Sequence, residues 1–228
     1  MIDKNIDLIK TKIKTAAARS GQDQDKVELI AVTKTVGPQE ICQAAESGVK
    51  NIGENRVPDA AFKKEALKGR LSPDIRWHMI GHLQTNKVKQ AVQIFDMIQS
   101  VDSLRLSREI DKRAAQVDKV MPVLLEVNVS GEEVKFGFEP EVLLNDIGRI
   151  ALLPNIKIRG LMTMAPLTDD TAVIRPVFQG LKNLSQKIND KNICSVDMQY
   201  LSMGMSQDYE IAVEEGANMV RLGSAIFL

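Results

Sequence analysis

Short apolar runs alternate with amphipathic stretches along the whole chain. The first stretch is amphipathic: Ile2, Ile6, Ile9, Ile13 and Ala16 or Ala17 recur three and four residues apart, the period of one helix face, and Ser20-Gly21 closes it. Apolar runs at 27–32, 49–53, 75–80, 96–101, 122–129, 156–164, 199–202 and 218–222 then read as strands. Between them, 38–47, 58–68, 86–93, 104–116, 140–152, 172–188 and 208–215 carry helical periodicity. Pro38 opens the first of these, Gly48 follows it, and Gly216 stops the last.

Strands that alternate with helices pair in parallel through helical crossovers. Eight such units predict one α/β domain over residues 1–228, a closed (β/α)8 TIM barrel with an extra N-terminal helix. An open doubly wound sheet is the alternative. The residues after the first strand, TKTVGP, carry no Rossmann glycine fingerprint and weaken its dinucleotide-binding version. The chain reaches Leu228 before an eighth helix, so the N-terminal helix is expected to cover that part of the barrel wall.

Composition narrows the partners. Thirty Lys and Arg balance thirty Asp and Glu, which argues against a nucleic-acid or polybasic membrane binder. Aromatic residues make up 4% of the chain, too few for a base-stacking platform. The two cysteines, Cys42 and Cys194, stand far apart with no CxxC or His/Cys cluster, so no metal site is expected. With no signal-peptide pattern and no apolar run near the ~20 residues of a membrane span, a cytoplasmic protein is expected. No long apolar face remains once the barrel is assigned, which points to a monomer.

In a parallel barrel, chemistry gathers at the C-terminal strand ends. The polar residues there are Lys34, Glu54, Asn55, His82, Gln84, Asn128, Ser130, Thr163, Ser202, Ser206, Arg221, Gly223 and Ser224. A lysine in a barrel mouth would be partly desolvated, its pKa lowered and its neutral amine able to attack a carbonyl. A surface lysine in a loop is the plainer alternative for Lys34. SMGMSQD at 202–208 runs from strand through Gly204 and Ser206 to a helix start near Asp208, a pattern suited to phosphate, and RLGSA at 221–225 repeats it on the next strand. Turn geometry alone would also account for Gly204 and Gly223. His78, beside Trp77 in an apolar strand, reads as packed. His82 stands at a strand end, where capping or a loop hydrogen bond competes with function. Met162, Met164, Met203 and Met205 read as barrel filling, and Glu132-Glu133 as a solvated loop. The sum is a strand-end lysine and a phosphate cradle on the opposite rim. A sugar-phosphate aldolase and a pyridoxal 5′-phosphate binder both fit.

LIAVTKT at 29–35, GEN at 53–55, WHMIGHLQTNK at 77–87, NVSGEE at 128–133, GLMTMAP at 160–166, LSMGMSQDYE at 201–210 and VRLGSAIF at 220–227 resemble, in order, the pyridoxal phosphate homeostasis protein family. The resemblance implies a barrel similar to the N-terminal domain of alanine racemase. It implies that Lys34 forms a Schiff base with pyridoxal 5′-phosphate and that Ser206, Gly223 and Ser224 cradle the phosphate. It puts Arg221 beside the cofactor, toward either phosphate or pyridine nitrogen. Asn55, Ser202 and the backbone from Met203 through Gly204 to Met205 would line the pocket. Two departures stand out: Arg56 follows Glu54-Asn55 where an aromatic is common, and the chain reaches Phe227-Leu228 where a glycine and short tail are usual.

The implied function is a non-catalytic carrier of pyridoxal 5′-phosphate that regulates vitamin B6 and amino-acid pools and gives the cofactor to apo-enzymes. A racemase-like enzyme is the alternative. Racemases of this barrel type use a second domain and a tyrosine base across the cofactor, whereas Tyr200 and Tyr209 lie near the cofactor's own strand; without an acid/base pair astride the ring, proton abstraction lacks a positioned partner.

Overall fold

The eight apolar runs form β1 (Glu28–Val32), β2 (Asn51–Glu54), β3 (Arg76–Met79), β4 (Met97–Val101), β5 (Met121–Glu126), β6 (Ile156–Met162), β7 (Val196–Ser202) and β8 (Met219–Leu222). In the computed structural model, which describes residues 1–132 and 134–228, they pair in chain order as a closed parallel barrel. β8 returns to β1, with Ile30 opposite Arg221 and Ala31 opposite Leu222. The helices are α1 (Ile2–Ser20), α2 (Pro38–Glu46), α3 (Val57–Ala66), α4 (Val88–Ile94), α5 (Leu104–Ala115), α6 (Pro140–Ala151), α7 (Thr171–Asn189), α8 (Tyr209–Glu214) and α9 (Ser224–Phe227). Glu133, part of the expected solvated loop, lies outside the described residues.

Side chains alternate across a strand, so each strand sends one set into the barrel and one outward under the helices. The outward set makes the main apolar layer: Ala31, Ile52, Trp77, Ile98, Val123, Leu125, Ile158, Leu161, Val220 and Leu222 meet fully buried helix residues such as Ile41, Ile110, Ile147 and Phe178. The inward apolar set is small: Ile30, Met97, Leu124, Met162, Tyr200 and Met219. Asn51, His78, Gln99, Glu126, Ser202 and Arg221 alternate with it and are buried.

The N-terminal helix buries Ile6, Ile9, Ile13, Ala16 and Ala17, the stripe its sequence predicts, and packs on α2, α8 and α9. A four-residue helix, α9, follows β8 where no helix was expected. β7 begins three residues earlier than its apolar run, because Val196–Met198 alternates half-buried and exposed positions and Asp197 pairs with Arg159 at 3.0 Å. β5 ends earlier than expected: Val127 N–H still reaches the Met162 carbonyl at 2.8 Å, but Asn128 N–H turns to that of Phe138 at 2.9 Å. Gly160 sits at φ +148° where the β6–β7 register shifts, and a Cβ there would lie 1.9 Å from the Tyr200 carbonyl oxygen.

Candidate functional site

Lys34 stands on the turn after β1, and its neighbour Thr33 is locked from three sides. Thr33 N–H donates to the Gly53 carbonyl at 3.0 Å. Its hydroxyl donates to Glu54 Oε1 at 2.5 Å, and Lys63 Nζ on α3 donates both to the Thr33 carbonyl and to Glu54 Oε1, each at 2.6 Å. The Glu54 and Lys63 side chains are 0% and 9% exposed, so the ion pair is desolvated and removing one partner would leave a bare buried charge. This arrangement fixes the backbone that carries Lys34. Lys34 itself is exposed, which corrects the expectation of partial desolvation: the turn after the strand leaves the side chain in solvent.

The two glycine-serine loops lie together. Ser206 Oγ accepts from Gly223 N–H at 3.3 Å and from Ala225 N–H at 3.2 Å, tying the loop after β7 to the loop after β8. Asp208 Oδ1 accepts from Met205 N–H at 2.6 Å and closes the first loop on itself. Gly204 is buried at φ +93°, and a Cβ there would meet Ala212 Cβ at 2.6 Å, so its bareness serves the packing of its own turn against α8. Met203 is buried in the outer apolar layer, leaving its backbone as the part that runs along the rim. Ser224 is exposed at the rim. Because β8 pairs with β1, these loops flank Lys34; the expectation of a cradle on the opposite rim is corrected by barrel closure. A Cβ on Gly223 would lie 3.3 Å from the Val32 carbonyl oxygen, two residues before Lys34.

Below the mouth, Arg221 points inward across the barrel. Its Nη2 donates to the Thr163 carbonyl at 2.8 Å and its Nη1 to Ser202 Oγ at 2.6 Å. Burial pulls the guanidinium down to about 10, against the opposing pull of Glu126 and Asp208. Glu126, inward on β5, is pushed up to about 7 by burial, reinforced by Asp102 and opposed by Arg221. Ser202 is wholly buried, and its hydroxyl donates to Gln99 Oε1 at 2.7 Å.

Of the remaining predicted residues, Asn55 follows β2, the strand paired with β1, and the others are spread over β3 and the loops after β3, β5 and β6. Asn55 is half-buried, with Gly81 packed so closely that a Cβ there would sit 2.6 Å from the Asn55 carbonyl oxygen. His82 Nδ1 meets Asp102 Oδ2 at 3.0 Å and its ring stacks on Phe136 with centroids 3.8 Å apart. Asn128, Ser130 and Glu132 bond one another, with Asn128 Nδ2 donating to the Glu132 carbonyl at 2.8 Å. Thr163 Oγ1 donates to the Val127 carbonyl at 2.7 Å. Gln84 is exposed ahead of a single 3-10 turn at Thr85–Lys87. His78 is buried and bonded through both ring nitrogens, as its apolar strand implied. Sequence reasoning missed Lys63, Gln99, Asp102 and Glu126. For Gln99 and Glu126 a signal existed: a lone polar residue at an inward position of a buried strand.

Among the described residues no three His, Cys, Asp or Glu side chains converge as metal ligands, and no helix is long and apolar enough to cross a membrane.

Comparison with known proteins places this geometry. Residues 5–228 match the family described as alanine racemase, N-terminal domain. The pyridoxal phosphate homeostasis protein of Aquifex aeolicus is 42% identical over 216 residues, 95% of this chain and 92% of that protein. Its counterpart in Pasteurella multocida is 32% identical over 226 residues, 99% of this chain and 96% of that one. PipY of Synechococcus elongatus, solved with pyridoxal phosphate bound, superposes with a TM-score of 0.88 at 30% identity over the full length of both chains. Alanine racemase of Clostridium difficile shares the fold, with a TM-score of 0.75 at 16% identity over 99% of this chain and 55% of its own.

Proposed function

The chain belongs to the alanine racemase N-terminal domain family, among its pyridoxal phosphate homeostasis proteins, and we propose that it holds pyridoxal 5′-phosphate on Lys34 as a non-catalytic carrier. The observation that carries this reading is the adjacency of an accessible lysine on the β1 turn to the loops that Ser206 ties together across β7 and β8. When bound, the cofactor supplies an aldehyde carbon and an electron-withdrawing ring. Lys34 offers the amine that joins that carbon with loss of water. Ser206 and Ser224 would offer hydroxyls and Ser224 its backbone N–H to the phosphate, with Gly223, bare of a side chain, leaving room for close approach, and Asn55 and the backbone of Met203–Met205 bordering the pocket.

Arg221 is buried, with its guanidinium held by the Thr163 carbonyl and Ser202 Oγ and not by Ser206, an arrangement that favours contact with the ring nitrogen over the phosphate. A cation there disfavours protonation of that nitrogen and so weakens the ring as an electron sink. That suits holding over catalysis. So do the tyrosines: Tyr209 is buried and pushed up to about 12, and Tyr200 lies in the lower barrel with Arg159 6.0 Å over its ring. Neither stands across the mouth as a proton-transfer partner.

The test is transfer. Incubation with pyridoxal 5′-phosphate followed by borohydride is expected to add the reduced cofactor's mass at Lys34, and Lys34→Ala is expected to abolish the adduct. The loaded protein should restore activity to an apo-enzyme that needs the cofactor. D-isomers formed from L-amino acids by wild type but not by Lys34→Ala would overturn the non-catalytic reading. A wild-type protein with no adduct would overturn the cofactor reading itself.

A further inference from the structure

The barrel axis is polar where barrels of this kind usually stack apolar layers. Arg221 Nη1 donates to Ser202 Oγ at 2.6 Å, and Ser202 donates to Gln99 Oε1 at 2.7 Å. Gln99 Nε2 lies 3.0 Å from His78 Nδ1, His78 Nε2 lies 3.1 Å from Asn51 Oδ1, and Asn51 Nδ2 donates to Glu28 Oε2 at 3.2 Å. The five bonds join the cofactor face to the opposite mouth. The two ends fix their direction. A guanidinium only donates and a carboxylate only accepts, so every group between must accept from above and donate below. His78 therefore carries its proton on Nε2. Burial pulls His78 down to about 3, in keeping with a neutral ring.

Such a one-way chain polarises each bond by the next, from a cation to an anion. Its lower end opens into a cavity of about 900 Å³ lined by Glu28, Lys50, Arg76 and Tyr200 among others, so the carboxylate is reachable from the mouth remote from the cofactor. We propose that Glu28, acting through Asn51, His78, Gln99 and Ser202, is a positioning residue for Arg221 in the cofactor site. The relay turns the Ser202 lone pair toward Arg221 and its proton away, which keeps the guanidinium in one orientation. The inference rests on the cofactor reading above for its consequence, but the relay itself exists without cofactor.

The experiment is nitrogen NMR of the full chain labelled with ¹⁵N-histidine, with His82→Asn to assign the two rings. In the unloaded protein at neutral pH His78 is expected in the Nε2–H form. Glu28→Gln should shift both His78 ring nitrogens and weaken retention of pyridoxal 5′-phosphate roughly two- to thirtyfold, with partial recovery in Glu28→Asp. Adding the cofactor should move the His78 signals in wild type but not in Gln99→Leu, with the extent of adduct at Lys34 measured in both. A His78 ring protonated on Nδ1, or Glu28→Gln with unchanged His78 shifts and unchanged retention, would overturn the proposal. If Gln99→Leu does not fold, Glu28→Gln, at the open mouth, still decides it. A wild type that forms no adduct but shows the Nε2–H ring and its response to Glu28→Gln would sink the carrier reading, leave the relay standing, and remove Glu28's role toward the cofactor.

Discussion

The two faces of the barrel wall are built from the same strands and have opposite chemistry. The outer face packs Trp77, Ile98, Val123, Ile158 and Val220 against buried helix residues such as Phe178 and Ile110, with few polar groups between. The inner face interrupts a small set of apolar side chains with Asn51, His78, Gln99, Glu126, Ser202 and Arg221. The outer layer supplies the burial that stabilises the fold, roughly 1.5–3 kcal/mol for each large side chain. The inner layer spends stability: Asn51, His78, Gln99, Ser202 and Arg221 are tolerable there because they are hydrogen-bonded, and two inward groups, Glu126 and His78, are shifted far from their ordinary values by burial. A wall of this kind separates what holds the fold from what prepares the site.

The sharpest way to break this division is to cut the outer layer and look for damage inside. Phe178 is fully buried on α7, and Phe178→Ala is expected to lower stability by about 3–5 kcal/mol in urea unfolding. The fraction that stays folded should still load pyridoxal 5′-phosphate at Lys34, read by mass after borohydride reduction. Loss of loading in the folded fraction would mean the layers are not separable.

The inner layer should instead announce itself through pH. His78 is neutral when folded and held near 3, so the unfolded chain takes up the proton first as pH falls below about 6.5. Stability from this group is complete well above that point and drains away toward pH 3, by about 2 kcal/mol between pH 6.5 and 4.5. Comparing unfolding of wild type and His78→Gln at those two pH values isolates the contribution, which the variant should lack.

Glu126 works in the opposite direction. Its folded value is raised to about 7, so between about pH 4.5 and 7 the folded chain holds a proton that the unfolded chain has lost, and stability falls as pH rises. Wild type is expected to lose about 2 kcal/mol from this source between pH 5.5 and 7, and Glu126→Gln to lose none of it. Equal slopes in the two proteins would show that the carboxyl is not held protonated. The smallest effect belongs outside both layers: Leu152, 81% exposed, should tolerate Leu152→Ser within about 0.5 kcal/mol and with unchanged loading.

The outer face was the legible one. Its apolar residues recur with helix and strand periods, so the order of elements, the stripe on α1 and the parallel pairing all follow from spacing. The glycine-serine loops at 203–206 and 223–224 were legible as well, because turn residues at strand ends form local patterns. The axis was not. Gln99 and Glu126 each occur once in an apolar strand, and nothing local tells that they meet residues from strands distant in the chain: Gln99 touches Ser202, 103 positions away. Lys63 lies unmarked within the helical stretch at 58–68, yet it reaches back 30 positions to hold the carbonyl beside Lys34.

The sequence by itself determined the eightfold alternation, the candidate lysine and the two phosphate-suited loops, since each depends on residues within a few positions of one another. Only the tertiary structure decided how they stand to each other. Closing β8 onto β1 brings the loops beside Lys34, and turning alternate side chains inward threads a polar chain from Arg221 to Glu28. Both depend on ring closure, which no local spacing encodes.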